Sequence, residues 1–304
     1  MITVVNQLNL VVNQGEIFAF LGPSGAGKTT TIKLLTTLLP ITDGQALVAG
    51  FDVRRQPQAV RQHIGYVSQN GGSDTALTGR ANMQLIGKFY EMPRQSLQQQ
   101  IEKLSEVLGL QEILDRPAKT YSGGQLRRLD IALGMIHQPA VLFMDEPTTG
   151  LDPQNRLDLA HYLKQLAGNG LTIFITTHLM DEAEALADRI SIMDHGQIVA
   201  LGTSSELKSQ LGREVITISL EAHPDAPSRL QSVLADLPYV TKTTNNAELD
   251  FQLQVEDSAA HLPELFQQLA AANLRIAKFN LSQPTLNDVF IAKTGRSMPT
   301  TETE

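Results

Sequence analysis

The chain has 304 residues, of which 42% are hydrophobic and 18% are charged, so it can bury a core and is not wholly disordered. Its formal net charge of -8 argues against a nucleic-acid partner held by bulk positive charge. It contains no cysteine, which excludes a disulfide scaffold and a cysteine nucleophile. We expect a cytoplasmic protein, because the sequence shows neither a leader pattern nor an apolar run of about 20 residues.

Apolar runs alternate with helical patterns along the first two thirds of the chain. Strands buried on both faces are predicted at residues 17–21, 141–144 and 172–176. Helices are predicted at residues 28–39, 153–167 and 180–188. This alternation predicts an α/β core with a mostly parallel sheet and crossover helices.

A helical stretch interrupts this series. Four apolar residues recur at spacings of three and four, which is typical of an amphipathic helix: Leu97, Ile101, Leu104 and Leu108. We therefore predict an inserted helical subdomain over about residues 77–138.

The last third has a different order of elements. Strands are predicted at residues 215–218, 240–244, 249–255 and 274–279, with a turn at 245–247. Helices are predicted at residues 228–235, 258–271 and 284–293. The order βαββαβ matches a small α+β domain of the ferredoxin-like type. We predict two domains, residues 1–212 and residues 213–304.

A phosphate-binding loop follows the first strand. It consists of Gly22, Pro23, Ser24, Gly25, Ala26, Gly27, Lys28 and Thr29 and fits the pattern G-x-x-x-x-G-K-[ST]. Its glycines let backbone N–H groups point at phosphate oxygens, and the following helix adds a partial positive charge. Lys28 would bind the β- and γ-phosphates, and the Thr29 hydroxyl would bind Mg²⁺. We assign Thr30, in the first helical turn, to the same P-loop NTPase site.

Two carboxylates end the strand at residues 141–144. Asp145 and Glu146 lie at the carboxyl end of that strand, where ligands bind in open α/β sheets. Adjacent strand residues point to opposite sides, so Asp145 can face Mg²⁺ while Glu146 turns toward the attacking water. We predict that Glu146 is the general base of hydrolysis.

A second anion site is predicted near residue 122. Ser122, Gly123, Gly124 and Gln125 precede a helix over about residues 126–136, and a helix N-terminus binds anions. By itself this pattern is equally typical of an ordinary helix cap. One nucleotide does not need two phosphate cradles from a single subunit.

Taken together, these motifs resemble the nucleotide-binding subunit of ABC transporters. The resemblance covers residues 1–210 and includes Asp145-Glu146-Pro147-Thr148-Thr149-Gly150-Leu151-Asp152-Pro153 and Thr177-His178. Tyr121, residues 77–82 and residues 284–290 are similar to the daunorubicin-resistance subfamily, whose C-terminal extension is a small accessory domain. The family's adenine-stacking aromatic residue has no counterpart here, since no aromatic precedes Phe18.

The resemblance implies roles for further residues. Gln69 would sense Mg²⁺ and the attacking water, Asp152 would lie at a subunit interface, and His178 would contact the γ-phosphate. Ser122, Gly123, Gly124 and Gln125 would contact ATP that is held on a second subunit.

The resemblance also implies partners. Two copies would form a head-to-tail homodimer around two ATP molecules, on the inner face of the cell membrane. A separate permease chain would contact residues 71–92. ATP hydrolysis by this subunit would power export of a drug-like, antibiotic or lipid-like compound through that permease. The alternative is a soluble ABC ATPase that acts on ribosomes or DNA.

Overall fold

The structure is a computed structural model that describes residues 3–210, 214–221, 226–247, 249–255, 258–282 and 284–295. The chain divides into two compact units, with the division between Ser204 and Ser205. The boundary predicted at residues 212 and 213 lies outside the described residues. No helix in the described ranges has the length and apolar character needed to cross a membrane.

The first unit alternates strands and helices. In chain order it contains β1 (Ile17–Leu21), α1 (Lys28–Leu35), β2 (Leu47–Val48), β3 (Phe51–Asp52), α2 (Pro57–His63), β4 (Ile64–Val67), α3 (Gly79–Phe89), α4 (Arg94–Val107), a 3-10 turn (Ala118–Thr120), α5 (Gly123–Met135), β5 (Val141–Asp145), α6 (Pro153–Gly168), β6 (Thr172–Thr177), α7 (Met180–Leu186), β7 (Arg189–Asp194) and β8 (Gln197–Gly202). A short helix, α8 (Ser204–Ser209), follows.

Six of these strands form one sheet in the order β4-β5-β6-β1-β7-β8. The first five are parallel, and β8 pairs antiparallel with β7 at the edge. Every residue of β1 and β6 is buried, because helices cover both faces of the sheet. The predicted parallel α/β core is confirmed. The register places the carboxyl ends of β1, β4, β5 and β6 at one edge.

The first helix is shorter than the predicted range of 28–39. It ends at Leu35, where Thr36 Oγ1 donates a hydrogen bond to Ile32 O (2.8 Å). Thr37 then adopts a left-handed backbone with φ 63°, which no helix can continue. Leu38 and Leu39, which extend the apolar pattern, lie exposed beyond the helix.

Helices α3, α4 and α5 lie within the range predicted to be helical. The predicted stripe on α4 is buried, since Leu97 is 6% exposed and the other three residues are 2% or less. Thr78 caps helix α3, because its hydroxyl accepts a hydrogen bond from Ala81 N (3.1 Å). This capping fixes where the segment after β4 turns into helix.

The second unit has the ferredoxin-like order that was predicted. Its elements are β9 (Glu214–Leu220), α9 (Ala226–Ala235), β10 (Val240–Ala247), β11 (Asp250–Val255), α10 (Ser258–Ala271), β12 (Ile276–Ser282) and α11 (Leu286–Thr294). The antiparallel sheet has the order β10-β11-β9-β12. The turn predicted at residues 245–247 is wrong, because the β10–β11 ladder continues to the pair Ala247 and Asp250.

Candidate active site

The phosphate loop joins β1 to α1 and folds around its own lysine. Lys28 Nζ donates hydrogen bonds to Gly22 O (2.7 Å) and Pro23 O (3.0 Å). Gly27 needs a φ of 104°, and a Cβ there would lie 2.9 Å from Val4 O, so only glycine fits. Burial lowers the pKa of Lys28, against the opposing effect of the Glu146 and Asp145 carboxylates.

The other residues of the loop differ in exposure. Ser24 and Gly25 are exposed at its tip, whereas Pro23 and Ala26 are buried. Thr30 is half-buried in the first turn of α1. A glycine-rich loop of this kind before a helix can point backbone N–H groups at a phosphate.

Two oxygen atoms of the kind that could ligate a hard cation lie next to the loop, on Thr29 and Asp145. Thr29 Oγ1 donates a hydrogen bond to Asp145 Oδ1 (3.0 Å), and Thr176 Oγ1 donates to the same oxygen (2.5 Å). Neighbouring ligands of an octahedral Mg²⁺ are about 3.0 Å apart, because each Mg–O bond is about 2.1 Å. The separation between Thr29 Oγ1 and Asp145 Oδ1 therefore fits one bound Mg²⁺.

Glu146 follows β5 with an unusual backbone. Its φ is 46°, a left-handed conformation that is uncommon for a residue with a side chain and is concentrated at functional sites. Its N–H donates to both Thr176 O (3.0 Å) and Thr176 Oγ1 (3.1 Å), which holds this conformation against β6. The turn directs the half-buried carboxylate back toward the phosphate loop.

Four side chains surround the Glu146 carboxylate. Gln69 Nε2 and Thr149 Oγ1 donate hydrogen bonds to Oε2 at 3.3 Å and 3.2 Å. His178 Nδ1 lies 3.2 Å from Oε2, and Lys28 Nζ lies 3.8 Å from Oε1. These four contacts hold the Glu146 carboxylate in place beside the phosphate loop.

Sequence reasoning thus located five residues that the fold brings together. Lys28, Gln69, Asp145, Glu146 and His178 come from four different segments and meet at one edge of the sheet. The contact of Gln69 is with Glu146, so its assignment as a metal ligand stays a prediction.

The second anion motif opens helix α5. Ser122 Oγ accepts from Gln125 N (3.3 Å), and Ser122 N donates to Gln125 Oε1 (2.9 Å), which forms a capping box. Ser122 and Gly123 are exposed, whereas Gly124 is packed so that a Cβ would lie 2.2 Å from Asn155 Oδ1. Within the described residues, no hydrogen bond joins this motif to the phosphate loop of the same chain.

Asp152 caps the next helix, α6. Its Oδ1 accepts from Asn155 N (2.9 Å) and its Oδ2 from Asn155 Nδ2 (2.5 Å). These hydrogen bonds lower the pKa of Asp152. Because Asn155 also packs on Gly124, the predicted interface residue and the second anion motif lie side by side.

Three buried residues of the site were not found from the sequence. Thr176 anchors Asp145 and Glu146, Arg127 bonds backbone carbonyl groups beside Glu146, and Glu182 accepts a short hydrogen bond from Thr177 Oγ1. Burial raises the pKa of Glu182, against the effect of that hydrogen bond. The only sequence signal was proximity to a motif, since Thr176 lies two residues before His178.

Comparison with known proteins identifies the architecture. A family model described as "ABC transporter" matches residues 5–149, and one described as "ATP-binding protein DrrA1-3-like, C-terminal domain" matches residues 202–294. The daunorubicin/doxorubicin resistance ATP-binding protein DrrA of Streptomyces peucetius is 38% identical over 302 residues, which are 99% of this chain and 90% of that protein.

Solved structures show the same fold. An ATP-binding subunit of an ABC transporter has a TM-score of 0.62 and 26% identity, and the match covers 69% of this chain and 87% of the other. A dimeric bacterial ABC transporter cassette has a TM-score of 0.60 and 24% identity, and the match covers 66% and 91%. The loop, the paired carboxylates and these similarities agree: the chain belongs to the ABC transporter family, as an ATP-binding and ATP-hydrolysing subunit.

Proposed function

We propose that Glu146 is the general base that activates water for attack on the γ-phosphate of ATP. The observation that carries this proposal is the position of its carboxylate between Gln69, His178 and Lys28. Gln69 would orient the water, and His178 and Lys28 would face the γ-phosphate from either side. Thr29 and Asp145 would hold Mg²⁺, which shields the phosphate charge during the reaction.

The second part of the proposal is a head-to-tail homodimer that completes the site. Ser122 and Gly123 are exposed at a helix N-terminus, as a contact to phosphate on another chain requires. The similar bacterial cassette named above is itself dimeric. In this arrangement each ATP lies between the phosphate loop of one copy and Ser122, Gly123, Gly124 and Gln125 of the other, with Asp152 at the interface.

The third part concerns the transport cycle. Curated relatives are named as resistance proteins for daunorubicin, doxorubicin and linearmycin. By analogy, this subunit powers export of a drug-like, antibiotic or lipid-like compound through a separate permease, at the inner face of the cell membrane. Residues 71–92 would contact that permease, and residues 213–304 would form the accessory domain.

Glu146→Gln tests the general base. It keeps the shape of the side chain and one acceptor oxygen but cannot accept the proton, so turnover falls about 100-fold or more while ATP still binds. Light scattering with ATP and Mg²⁺ should then show an accumulated dimer. Undiminished turnover in this variant would remove Glu146 from the role of base.

A mixing experiment tests the shared site. Lys28→Ala disables one half-site and Ser122→Arg the other, so each variant alone should be inactive. A mixed dimer contains one complete site, and the mixture should therefore regain turnover. A mixture as inactive as its parts would contradict the head-to-tail arrangement. Capture of ribosomes or DNA, rather than an integral membrane protein, would favour the alternative function.

A further inference from the structure

Helix α5 has a buried arginine, Arg127, in its second turn, and the reaction proposed above gives this residue no role. Arg127 is 7% exposed. Its Nε donates to Pro147 O (2.7 Å), its Nη1 to Ser68 O (2.7 Å) and its Nη2 to Asp145 O (3.2 Å). All three acceptors are backbone carbonyl groups, and they come from two separate segments.

The three carbonyl groups lie next to the residues that are proposed to activate water. Those of Asp145 and Pro147 lie on either side of Glu146, and that of Ser68 directly precedes Gln69. One planar guanidinium group therefore fixes the main chain around the base and in front of the glutamine that contacts it. Displacing it would leave buried carbonyl groups unpaired, which is costly.

Asp130, one helical turn after Arg127, bonds the continuation of the segment that begins at Ser68. It is 8% exposed, and its Oδ1 accepts from Gly72 N (3.0 Å) and Ser73 N (2.9 Å). Residues three apart lie on the same helix face, so Arg127 and Asp130 together hold the segment from Ser68 to Ser73. The same helix is capped by Ser122, which lies about 7.5 Å from Arg127 along the helix axis.

We propose that Arg127 is a positioning residue that aligns Glu146 and Gln69 with the first turn of α5. The inference rests on the proposed role of Glu146. In the proposed dimer, the N-terminus of α5 faces the ATP that is bound by the second subunit, whereas Glu146 and Gln69 act on the ATP bound by their own subunit. Arg127 would join these two parts of one chain rigidly. Arg127 itself touches neither nucleotide.

Two substitutions of Arg127 and one control test this proposal in the full-length chain. Arg127→Lys keeps the positive charge, but its single ammonium group cannot donate to all three carbonyl groups. Arg127→Met keeps only the approximate length of the side chain. Arg128→Met is the control, because Arg128 is the next residue and donates to Leu108 O (3.1 Å) and Gly109 O (3.4 Å), away from Glu146.

We expect kcat to fall about 10- to 100-fold in both Arg127 variants, since a displacement of about 1 Å at a reacting group costs this much. KM for ATP and the affinity for a non-hydrolysable ATP analogue should change less than about threefold, since no nucleotide contact is lost. Amide hydrogen exchange should rise at residues 69–73 and 146–149. Arg128→Met should leave kcat and this exchange near the parent values.

Other outcomes would overturn the proposal. An unchanged kcat in Arg127→Met would do so. If both Arg127 variants lost nucleotide binding together with turnover, Arg127 would be a folding residue and not a positioning residue. Glu146→Gln separates the two hypotheses: if it retains turnover, the assignment of the base fails, whereas a loss there with no loss in the Arg127 variants refutes this inference alone.

Discussion

Helix α5 packs against β4 through glycines, and Gly65→Ala probes that contact. A Cβ on Gly65 would lie 2.1 Å from Gly134 O and 2.8 Å from Leu142 Cδ1. The nearer atom belongs to the backbone of α5, so rotation of a side chain cannot relieve the clash. The helix has to move by about 1 Å before the contact becomes tolerable.

The energetic cost follows from this geometry. Overpacking a core costs about 1–3 kcal/mol, and a clash with backbone belongs at the upper end. For a unit of about 200 residues, 3 kcal/mol corresponds to a melting temperature lower by roughly 6–12 °C. Because the shift also moves Arg127 away from the carbonyl groups beside Glu146, kcat should fall about tenfold or more.

Gly168→Ala is the matched control. Gly168 is the last residue of α6, and a Cβ there has nothing within 4 Å. The same substitution should leave stability unchanged or raise it by up to about 1 kcal/mol, because alanine favours helix.

Thermal unfolding of the full chain, with and without an ATP analogue and Mg²⁺, identifies the relevant transition. A bound nucleotide raises the melting temperature only of the unit that binds it. A melting temperature of the Gly65→Ala variant within about 2 °C of that of the Gly168→Ala variant would refute the tight contact between α5 and β4.

Two further predictions concern single side chains. Burial raises the pKa of Glu182 above 4.5, so the folded state holds this proton more tightly and loses stability as pH rises through that window. Glu182→Gln should therefore be more stable than the parent, with a difference in urea midpoint that widens as the pH rises above 4.5; a constant difference would contradict this. Thr29→Val should raise the Mg²⁺ concentration for half-maximal turnover about tenfold, or about 1.4 kcal/mol, because it removes one oxygen ligand. An unchanged Mg²⁺ titration would remove Thr29 from the metal site.

The fold could be predicted wherever burial alone decides the structure. The apolar run at residues 17–21 forms β1 with those bounds, since it lies between polar residues and a glycine-rich loop. The end of α1 was not predictable in the same way. Leu38 and Leu39 continue the apolar pattern, but Thr37 turns the backbone first, and a hydrophobic pattern carries no information about φ.

The site was predictable where chain order and sheet geometry suffice. Strands of a parallel sheet end at one edge, so Asp145 was expected near the phosphate loop, and it accepts a hydrogen bond from Thr29 of that loop. The expectation for His178 came from the resemblance to ABC transporters, and its imidazole lies 3.2 Å from the Glu146 carboxylate. The left-handed backbone of Glu146 and the choice between Arg127 and Arg128 were not predictable. Both arginines follow the same motif, and only packing against β4 and β5 determines which one is buried.

These contacts define what can move during the catalytic cycle. Arg127 and the glycine contact at Gly65 join α5 to β5 and β4, and Asp130 joins it to the loop after β4, although α5 lies within the inserted helical segment by sequence. Moving α5 away from β4 would break buried hydrogen bonds to several backbone groups at once, each worth about 1–3 kcal/mol when left unpaired. We therefore expect α5 to move together with Gln69 and Glu146. If the rest of the helical segment bends relative to the core while these contacts persist, the bend lies outside α5, between Ser73 and α3 or between α4 and α5.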